Sequence, residues 1–374
     1  MSAAASLARS RFEKLLASAG IALDGSAPHD LRVHDERLFA RVLSGGSLAL
    51  GESYMDGWWS CERLDEFFAR VLAAGLDRSA VPAAGWLRKV SPLLFPLGRS
   101  SKAFVIGQRH YDLGNELFEA MLDRRMIYSC AYWKEAATLD EAQERKLDLV
   151  CRKAGLKAGQ LVLDIGCGWG GFAGFAAERY GVSVVGITVS KEQAAAAAER
   201  LRGLPVEIRL QDYRDLSGSF DAVVSLGMFE HVGPRHHQTY FEVARRCLKE
   251  GGLFLLHTIA SAETTPAPDP WILKYIFPQS HIPSLAQIAS ASDGLFVVED
   301  VQNFGADYDP TLMAWHANVE GRRSSLPARY DERFFRMWRY YLLSCAGSFR
   351  ARHNQLLQVV LSPRGVPGGW RPVR

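Results

Sequence analysis

The stretch Leu161-Val-Leu-Asp-Ile-Gly-Cys-Gly-Trp-Gly-Gly171 decides the fold of this chain. Its apolar residues on both sides of Asp164 predict a buried parallel strand, and the glycines predict a tight turn into a helix over 171–180. Glycine suits such a turn because a side chain would keep a ligand away from the N–H groups at the helix start. The stretch therefore predicts a ligand-binding strand, turn and helix in an α/β sheet.

The spacing of Gly166, Gly168 and Gly171 also fits the dinucleotide fingerprint, so spacing alone does not separate NAD from other adenosine cofactors. Asp164 helps to separate them, because a carboxylate at this strand end repels a pyrophosphate and attracts an ammonium or sulfonium group. The second strand, predicted over 182–187, is not followed by the acidic residue that binds the ribose of NAD. These features favour S-adenosylmethionine as the cofactor.

Composition limits the class of protein. The chain has 374 residues and a net charge of +3, which is too small to imply nucleic-acid binding. No apolar run approaches the roughly 18 residues of a membrane span, and charged residues interrupt the first twenty, so we expect a cytoplasmic protein without a secretory signal. The six cysteines lack paired or metal-type spacing, which favours reduced thiols and no metal site.

The N-terminal part of the chain differs from the rest. Residues 1 to about 80 show helical periodicity, and prolines and glycines between 82 and 98 mark a linker. We therefore predict a small helical domain over 1–100 and a catalytic domain over 101–374. The basic and apolar stretch Trp86–His110 suits an anionic membrane surface, although a solvated linker explains it equally well.

The remainder of the chain alternates strands and helices, which predicts a doubly wound parallel sheet. Right-handed crossovers would place the carboxyl end of every strand at one edge, so that polar residues after the strands share a crevice. An irregular segment before the first strand, Met126–Trp133, is typical of a lid. We predict strands over 161–165, 182–187, 206–210, 220–225, 252–257, 295–300 and 355–361, and helices over 171–180, 190–202, 235–249, 310–320 and 328–350.

Polar residues follow the second and third strands. Thr188, Ser190 and Gln193 suit ribose hydroxyls, although Ser190 could equally cap the next helix. Gln211, Asp212 and Tyr213 offer an amide, a carboxylate and a ring for adenine, with loop capping as the alternative. The cofactor crevice is therefore predicted to extend along these strand ends.

A second group of candidates follows the later strands. Glu230 lies in apolar surroundings after the fourth strand, where a buried carboxylate needs a partner. His257 lies at the end of the fifth strand and Tyr308 follows the sixth, and His257 could instead be a core residue. Cys345 lies along the apolar face of its helix, which favours packing over nucleophilic catalysis.

Five motifs in order resemble the bacterial cyclopropane-fatty-acyl-phospholipid synthases. They are Tyr-Ser-Cys-Ala-Tyr-Trp133, Asp-Ile-Gly-Cys-Gly-Trp-Gly-Gly171, Gly-Met-Phe-Glu-His-Val-Gly233, Leu-Leu-His-Thr-Ile259 and Asn-Phe-Gly-Ala-Asp-Tyr-Asp309. The likeness extends into the N-terminal region through Gly-Glu-Ser-Tyr-Met-Asp-Gly-Trp-Trp59. The resemblance implies an α/β fold with a doubly wound, seven-stranded class I methyltransferase (Rossmann-like) sheet and a small helical N-terminal domain.

The resemblance also implies an activity and a site. The expected enzyme converts cis double bonds of phospholipid acyl chains into cyclopropanes. The resemblance also implies a homodimer that is cytoplasmic and peripherally associated with the inner face of the membrane. By the resemblance, bicarbonate binds at Cys130, Glu230, His257, Tyr308 and the backbone of Ile259, and Cys345 matches a proposed catalytic cysteine. The implied cofactor residues are Tyr128, Ser129, Val162, Asp164, Gly166, Cys167, Gly168, Trp169, Gly170, Gly186, Ile187, Thr188, Ser190, Gln193, Gln211, Asp212 and Tyr213.

Overall fold

The computed structural model describes residues 3–79, 114–264 and 268–374, which form two compact units. The predicted linker and the basic stretch Trp86–His110 lie outside the described residues. We call the unit built from Leu97–Thr264, Gln279–Asp307 and Gln355–Arg374 the sheet unit, and the other the helical unit. None of the helices in the described ranges has the length and apolar character that crossing a membrane requires.

The sheet of the sheet unit has seven strands in the order β5-β4-β3-β6-β7-β9-β8. A separate pair, β1 and β2, is antiparallel and belongs to the helical unit. The strands are β1 Arg32–Val33, β2 Trp59–Ser60, β3 Leu161–Ile165, β4 Ser183–Thr188, β5 Val206–Leu210, β6 Phe220–Leu226, β7 Leu248–Ser261, β8 Val297–Asn303 and β9 Asn354–Ser362.

The helices confirm the predicted alternation with strands. The sequence patterns did not predict α10 and α11, which are short. The helices are α1 Ala3–Ala17, α2 Arg37–Met55, α3 Leu64–Ala73, α4 Leu76–Ser79, α5 Asn115–Met121, α6 Leu139–Lys153, α7 Gly171–Tyr180, α8 Lys191–Arg200, α9 His237–Cys247, α10 Pro270–Tyr275, α11 Leu285–Ser292, α12 Tyr308–Arg322 and α13 Glu332–Arg350.

Strand β3 lies between β4 and β6, and its side chains pack on both faces of the sheet. Leu163 and Ile165 belong to one buried cluster, and Val162 belongs to another. Alternate residues of a strand point to opposite faces, so an apolar run such as Leu161–Ile165 needs cover on both. This double burial explains why the sheet is wound on both sides.

The strands β5, β4, β3, β6 and β7 are parallel, as predicted. The expectation that every strand ends at the same edge is wrong at the far side of the sheet. There β8 and β9 pair antiparallel, with Val301 opposite Val359. The rule that selected Glu230 and His257 therefore applies to the parallel strands, and it does not extend to both members of this pair.

The helical unit draws on three stretches of the chain, which are Met1–Pro96, Thr265–Pro278 and Tyr308–Asn354. Arg350 on α13 joins two of them, since its guanidinium donates to Asp309 and, at 2.6 Å, to the buried Asp65 of α3. Gly51 leaves room for the Trp271 ring, which would lie 2.4 Å from a Cβ there. The domain boundary at residue 100 lies outside the described residues and stays a prediction.

Gly347 marks the closest approach between α13 and α3. A Cβ at this position would lie 2.5 Å from the carbonyl oxygen of Asp65 and 2.8 Å from the amide nitrogen of Ala69. We predict that Gly347→Ala lowers the free energy of unfolding by about 1–3 kcal/mol, because the helices must move apart. Urea denaturation measures this change.

Gly321 on α12 provides the matched control, since a Cβ there meets nothing within 4 Å. Gly321→Ala should leave the free energy of unfolding unchanged or raise it by about 0.5–1 kcal/mol, through better helix propensity. Equal effects of the two substitutions would contradict the close contact between the helices.

Candidate active site

The glycine turn after β3 is anchored to the neighbouring strand. The N–H groups of Gly166 and Cys167 both donate to the carbonyl oxygen of Ile187, at 3.0 and 2.9 Å. Gly168 has a φ of +54°, and a Cβ added there would meet nothing within 4 Å. The turn therefore leaves open space beside its backbone, as a bound ligand requires.

Asp164 lies beneath this turn and is almost fully buried. Its Oδ2 atom has no hydrogen-bond partner among the described residues. Burial raises the pKa of this carboxyl to about 7, even though the charge of Lys146 acts in the opposite direction. A buried carboxyl oxygen without a partner fits the positively charged ligand that the sequence predicted.

The residues after β4 contact each other. The Thr188 hydroxyl donates to Gln193 Oε1 at 2.9 Å, and Ser190 Oγ accepts from the Gln193 N–H at 3.2 Å. The helix-capping interpretation of Ser190 is therefore confirmed. A Cβ at Gly186 would lie 2.9 Å from that of Cys167, so glycine here also permits close packing of the turn.

The residues after β5 make the loop-capping contacts that the sequence analysis gave as the alternative to adenine binding. Both carboxylate oxygens of Asp212 accept from Arg214, whose hydrogen bonds lower the Asp212 pKa overall against the effect of burial. Gln211 Nε2 donates to the carbonyl oxygen of Asp215 at 2.9 Å. Tyr213 packs 5.2 Å from Tyr240 in the core. Loop capping describes Gln211 and Asp212 here, and their contact with adenine stays a prediction.

The predicted lid, Met126–Trp133, is held by helix α6. Gln143 Nε2 donates to the carbonyl oxygen of Ser129, and Lys146 Nζ donates to its hydroxyl oxygen, both at 2.9 Å. Gln143, Lys146 and Cys130 are fully buried. The lid is therefore fixed at Ser129, one of the predicted cofactor residues.

Aromatic packing links this segment to the glycine turn. The Tyr128 ring lies 5.3 Å from that of Phe118, which in turn lies 4.9 Å from Trp169. Trp169 Nε1 donates to Asn115 Oδ1 at 3.1 Å. The structure thus brings Tyr128, Ser129 and Trp169 to one side of the sheet unit.

Glu230 lies just after β6 and is buried. Its Oε1 atom accepts the Ile259 N–H at 2.7 Å, while Oε2 has no partner among the described residues. Burial raises the pKa of Glu230 to about 7, although the Ile259 hydrogen bond lowers it. The partner that the sequence demanded for Glu230 is therefore a backbone group, and one oxygen stays available.

His257 is buried on the neighbouring strand β7, opposite Leu226 of β6. Its Nδ1 atom lies 3.3 Å from Gln358 Nε2, and its Nε2 atom has no partner in the part of the chain that the structure describes. Burial lowers the pKa of His257 well below its usual value, so the ring is neutral. With the Gln358 amide nitrogen as donor, Nδ1 accepts and Nε2 carries the proton.

Tyr308 and Cys345 belong to the helical unit. Tyr308 begins α12, and its ring lies 4.5 Å from that of Phe349. Burial raises the pKa of the Cys345 thiol to about 12, which favours the packing interpretation over a nucleophilic thiolate. Their roles in the site stay predictions.

The sequence analysis did not single out Gln143 and Lys146. Their signal is a periodic one, because positions 143, 146, 150 and 153 share one face of α6 and all are buried. Polar residues on the buried face of a helix could have indicated a functional role.

The fold and the site define the class of the protein as an S-adenosylmethionine-dependent class I methyltransferase. The cyclopropane synthase MmaA2 of Mycobacterium tuberculosis covers 72% of this chain, with a TM-score of 0.65 and 32% identity, and 99% of that structure is matched. The mycolic acid cyclopropane synthase CmaA1, in complex with SAH and CTAB, matches 69% of this chain and 97% of its own, with a TM-score of 0.64 and 33% identity.

Sequence comparison then shows the family. The family described as mycolic acid cyclopropane synthetase matches residues 99–359. The cyclopropane-fatty-acyl-phospholipid synthase of Escherichia coli strain K12 is 56% identical over 362 residues, which are 96% of this chain and 94% of that protein. The tuberculostearic acid methyltransferase UfaA1 of Mycobacterium tuberculosis is 34% identical, over 92% and 86% of the two chains. This chain belongs to the mycolic acid cyclopropane synthetase family.

The open space at Gly168 can be tested by filling it. We predict that Gly168→Ala weakens binding of S-adenosylhomocysteine at least about tenfold, because the added Cβ occupies space that the ligand needs. Isothermal titration calorimetry measures the affinity.

Gly203 is the matched control, because it also has a positive φ, +89°, and open space around a Cβ. It lies in the turn after α8, so Gly203→Ala should show the backbone strain without the loss of affinity. A similar loss in both variants would attribute the effect at Gly168 to strain.

Proposed function

We propose that this enzyme transfers a methylene group from S-adenosylmethionine to cis double bonds of unsaturated phospholipid acyl chains, which forms cyclopropane fatty acids with bicarbonate as the base. One observation carries the proposal. The buried atoms Asp164 Oδ2, Glu230 Oε2 and His257 Nε2 have no partner among the described residues. Asp164 lies near the end of β3, Glu230 follows β6, and His257 on β7 pairs with Leu226, the last residue of β6. The similarity to the Escherichia coli enzyme supports the substrate class.

The glycine turn would hold the methyl donor. Asp164 would attract its positive charge, and Ser129 with Tyr128 would contact it from the lid. When bound, S-adenosylmethionine supplies the methyl group and bicarbonate supplies a base. Because an alkene is a poor nucleophile, positioning carries much of the rate acceleration.

Glu230 and His257 suit the binding of a small anion. The neutral His257 ring presents an Nε2–H donor, and the raised pKa of Glu230 lets its free oxygen exist as a protonated acid near neutral pH. Glu230 could also accept a hydrogen bond from a bicarbonate hydroxyl. Cys130 and the Ile259 backbone complete the proposed bicarbonate site within the sheet unit.

Attack by the alkene leaves a carbocation on the acyl chain, and a proton must then leave the new methyl group before the ring closes. Aromatic faces such as those of Tyr128 and Phe229 would stabilise the cation by roughly 0.5–2 kcal/mol each. Bicarbonate is small enough to reach the proton of the new methyl group, so no side chain has to act as the base. The resemblance further supports a homodimer at the inner face of the membrane, with the bilayer surface as its partner.

The lipid product tests the activity. Cells that express the enzyme should contain phospholipids heavier by one methylene unit in the acyl chain. These products should take up no hydrogen under conditions that saturate alkenes, because a ring has replaced the double bond. Mass spectrometry before and after hydrogenation measures it, with the Gly168→Ala variant as the low-activity control.

The main rival is methyl addition to an unsaturated lipid without ring closure, which the similarity to a tuberculostearic acid methyltransferase favours. A product that contains a methyl branch would support this rival. A gain on the head group would instead indicate transfer to an oxygen or nitrogen atom and would contradict both lipid-chain activities.

Glu230→Gln tests the bicarbonate site. We predict that turnover falls at least about tenfold while the affinity for S-adenosylhomocysteine changes less than about threefold, because Gln cannot act as an acid or a carboxylate toward the anion. The variant should also need more added bicarbonate than the wild type in buffer depleted of carbon dioxide.

Glu242→Gln, at an exposed position of α9, is the control for the loss of a carboxylate. Equal turnover in the wild type and Glu230→Gln would exclude the proposed role of Glu230. A bicarbonate requirement that does not change would assign Glu230 to another step.

A further inference from the structure

Lys146 is a fully buried lysine that the proposed reaction does not use. Its Nζ atom donates to Ser129 Oγ at 2.9 Å, and no other hydrogen bond to it is found among the described residues. A buried ammonium is costly unless nearby groups compensate it. A buried charge that contacts Ser129, a predicted cofactor residue, is therefore a candidate for a functional role.

Lys146 decides how Ser129 can act. An ammonium group only donates, so the Ser129 oxygen must accept, and the hydroxyl proton then points away from Lys146. Gln143 holds the carbonyl group of the same residue at 2.9 Å and limits its movement. Ser129 is thus a fixed hydroxyl donor backed by a positive charge, which suits a carboxylate ligand.

Asp164 supplies a negative charge close to the positive charge of Lys146. Its Oδ2 atom is buried without a partner, and Lys146 is near enough for its charge to act on this carboxyl. Asp123, which accepts the Ile127 N–H at 2.8 Å, and the Cys130 thiol are the other titratable groups that act on Lys146. A negative and a positive group at one site match a zwitterion better than a ligand of a single charge.

We propose that Lys146 is a positioning residue, which acts through Ser129 on the site for the zwitterionic amino-acid tail of the methyl donor. Ser129 faces the carboxylate of this tail, and Asp164 faces its ammonium group. This inference rests on the proposed cofactor. It adds that the tail, and not only the adenosine, determines which ligands bind.

Two ligands separate the tail from the adenosine. S-Adenosylhomocysteine carries the amino-acid tail, whereas 5′-deoxy-5′-methylthioadenosine has the same thioether and adenosine without it. Calorimetry on the full chain should show that Lys146→Met weakens binding of S-adenosylhomocysteine at least about tenfold, as expected for a hydrogen bond to a charged group. Binding of methylthioadenosine should stay within about threefold of the wild type.

Further variants separate positioning from general stability. Lys146→Arg should recover part of the affinity, and Lys146→Met should add little when Ser129→Ala is already present, because both act on one contact. Lys153→Met is the matched control, since Lys153 is buried on the same helix face but donates to Gln302. It should leave the ratio of the two affinities unchanged.

Each outcome is decisive. If Lys146→Met loses affinity equally for both ligands, or for neither, the proposed role of Lys146 is wrong, and the proposed cofactor is unaffected. A wild-type protein that does not bind S-adenosylhomocysteine overturns the cofactor and this inference together. If Lys146→Met does not fold, Ser129→Ala alone must still reduce the affinity for S-adenosylhomocysteine and leave that for methylthioadenosine unchanged.

Discussion

The burial of charge at the end of β3 is the constraint on which the site depends. Asp164 lies at the carboxyl end of a strand that is covered on both faces, where water cannot solvate it. The raised pKa of its carboxyl expresses this cost directly. A residue of this kind is retained when a ligand or a buried countercharge compensates it, and here Lys146 provides part of the compensation.

The parallel strands turn one buried acid into a site. Because β3, β6 and β7 are neighbours, Asp164 near the end of β3, Glu230 after β6 and His257 opposite the last residue of β6 lie along the same edge of the parallel strands. The same desolvation acts differently on each group: it raises the pKa of the two acids and keeps the histidine neutral. One physical effect, burial, therefore disfavours the charged form of all three side chains.

Helix α6 holds the segment that contains Ser129. Gln143 and Lys146 lie three residues apart on α6 and hold Ser129 at its carbonyl and hydroxyl groups. Lys146 and Lys153 also contribute to the neutral state of His257. Helix α6 thus supplies both the support of the lid and a positive field beneath the strand ends.

The sequence by itself determined the strand, turn and helix at 161–180, the alternation of the sheet unit and the candidates Asp164, Glu230 and His257. These features depend on local periodicity, on the backbone freedom of glycine and on the rule that parallel strands end together. The cofactor followed from the charge of Asp164 and from the missing acidic residue after the second strand, which are also local features of the sequence.

Only the tertiary structure decided what each side chain contacts. The Ile259 N–H binds Glu230, and Gln358 lies beside His257 although it is far away in the chain. The antiparallel pair β8 and β9, and the assembly of the helical unit from three stretches, also depend on such distant partners. A local pattern cannot specify these contacts, because burial and charge at each position come from segments that only folding brings together.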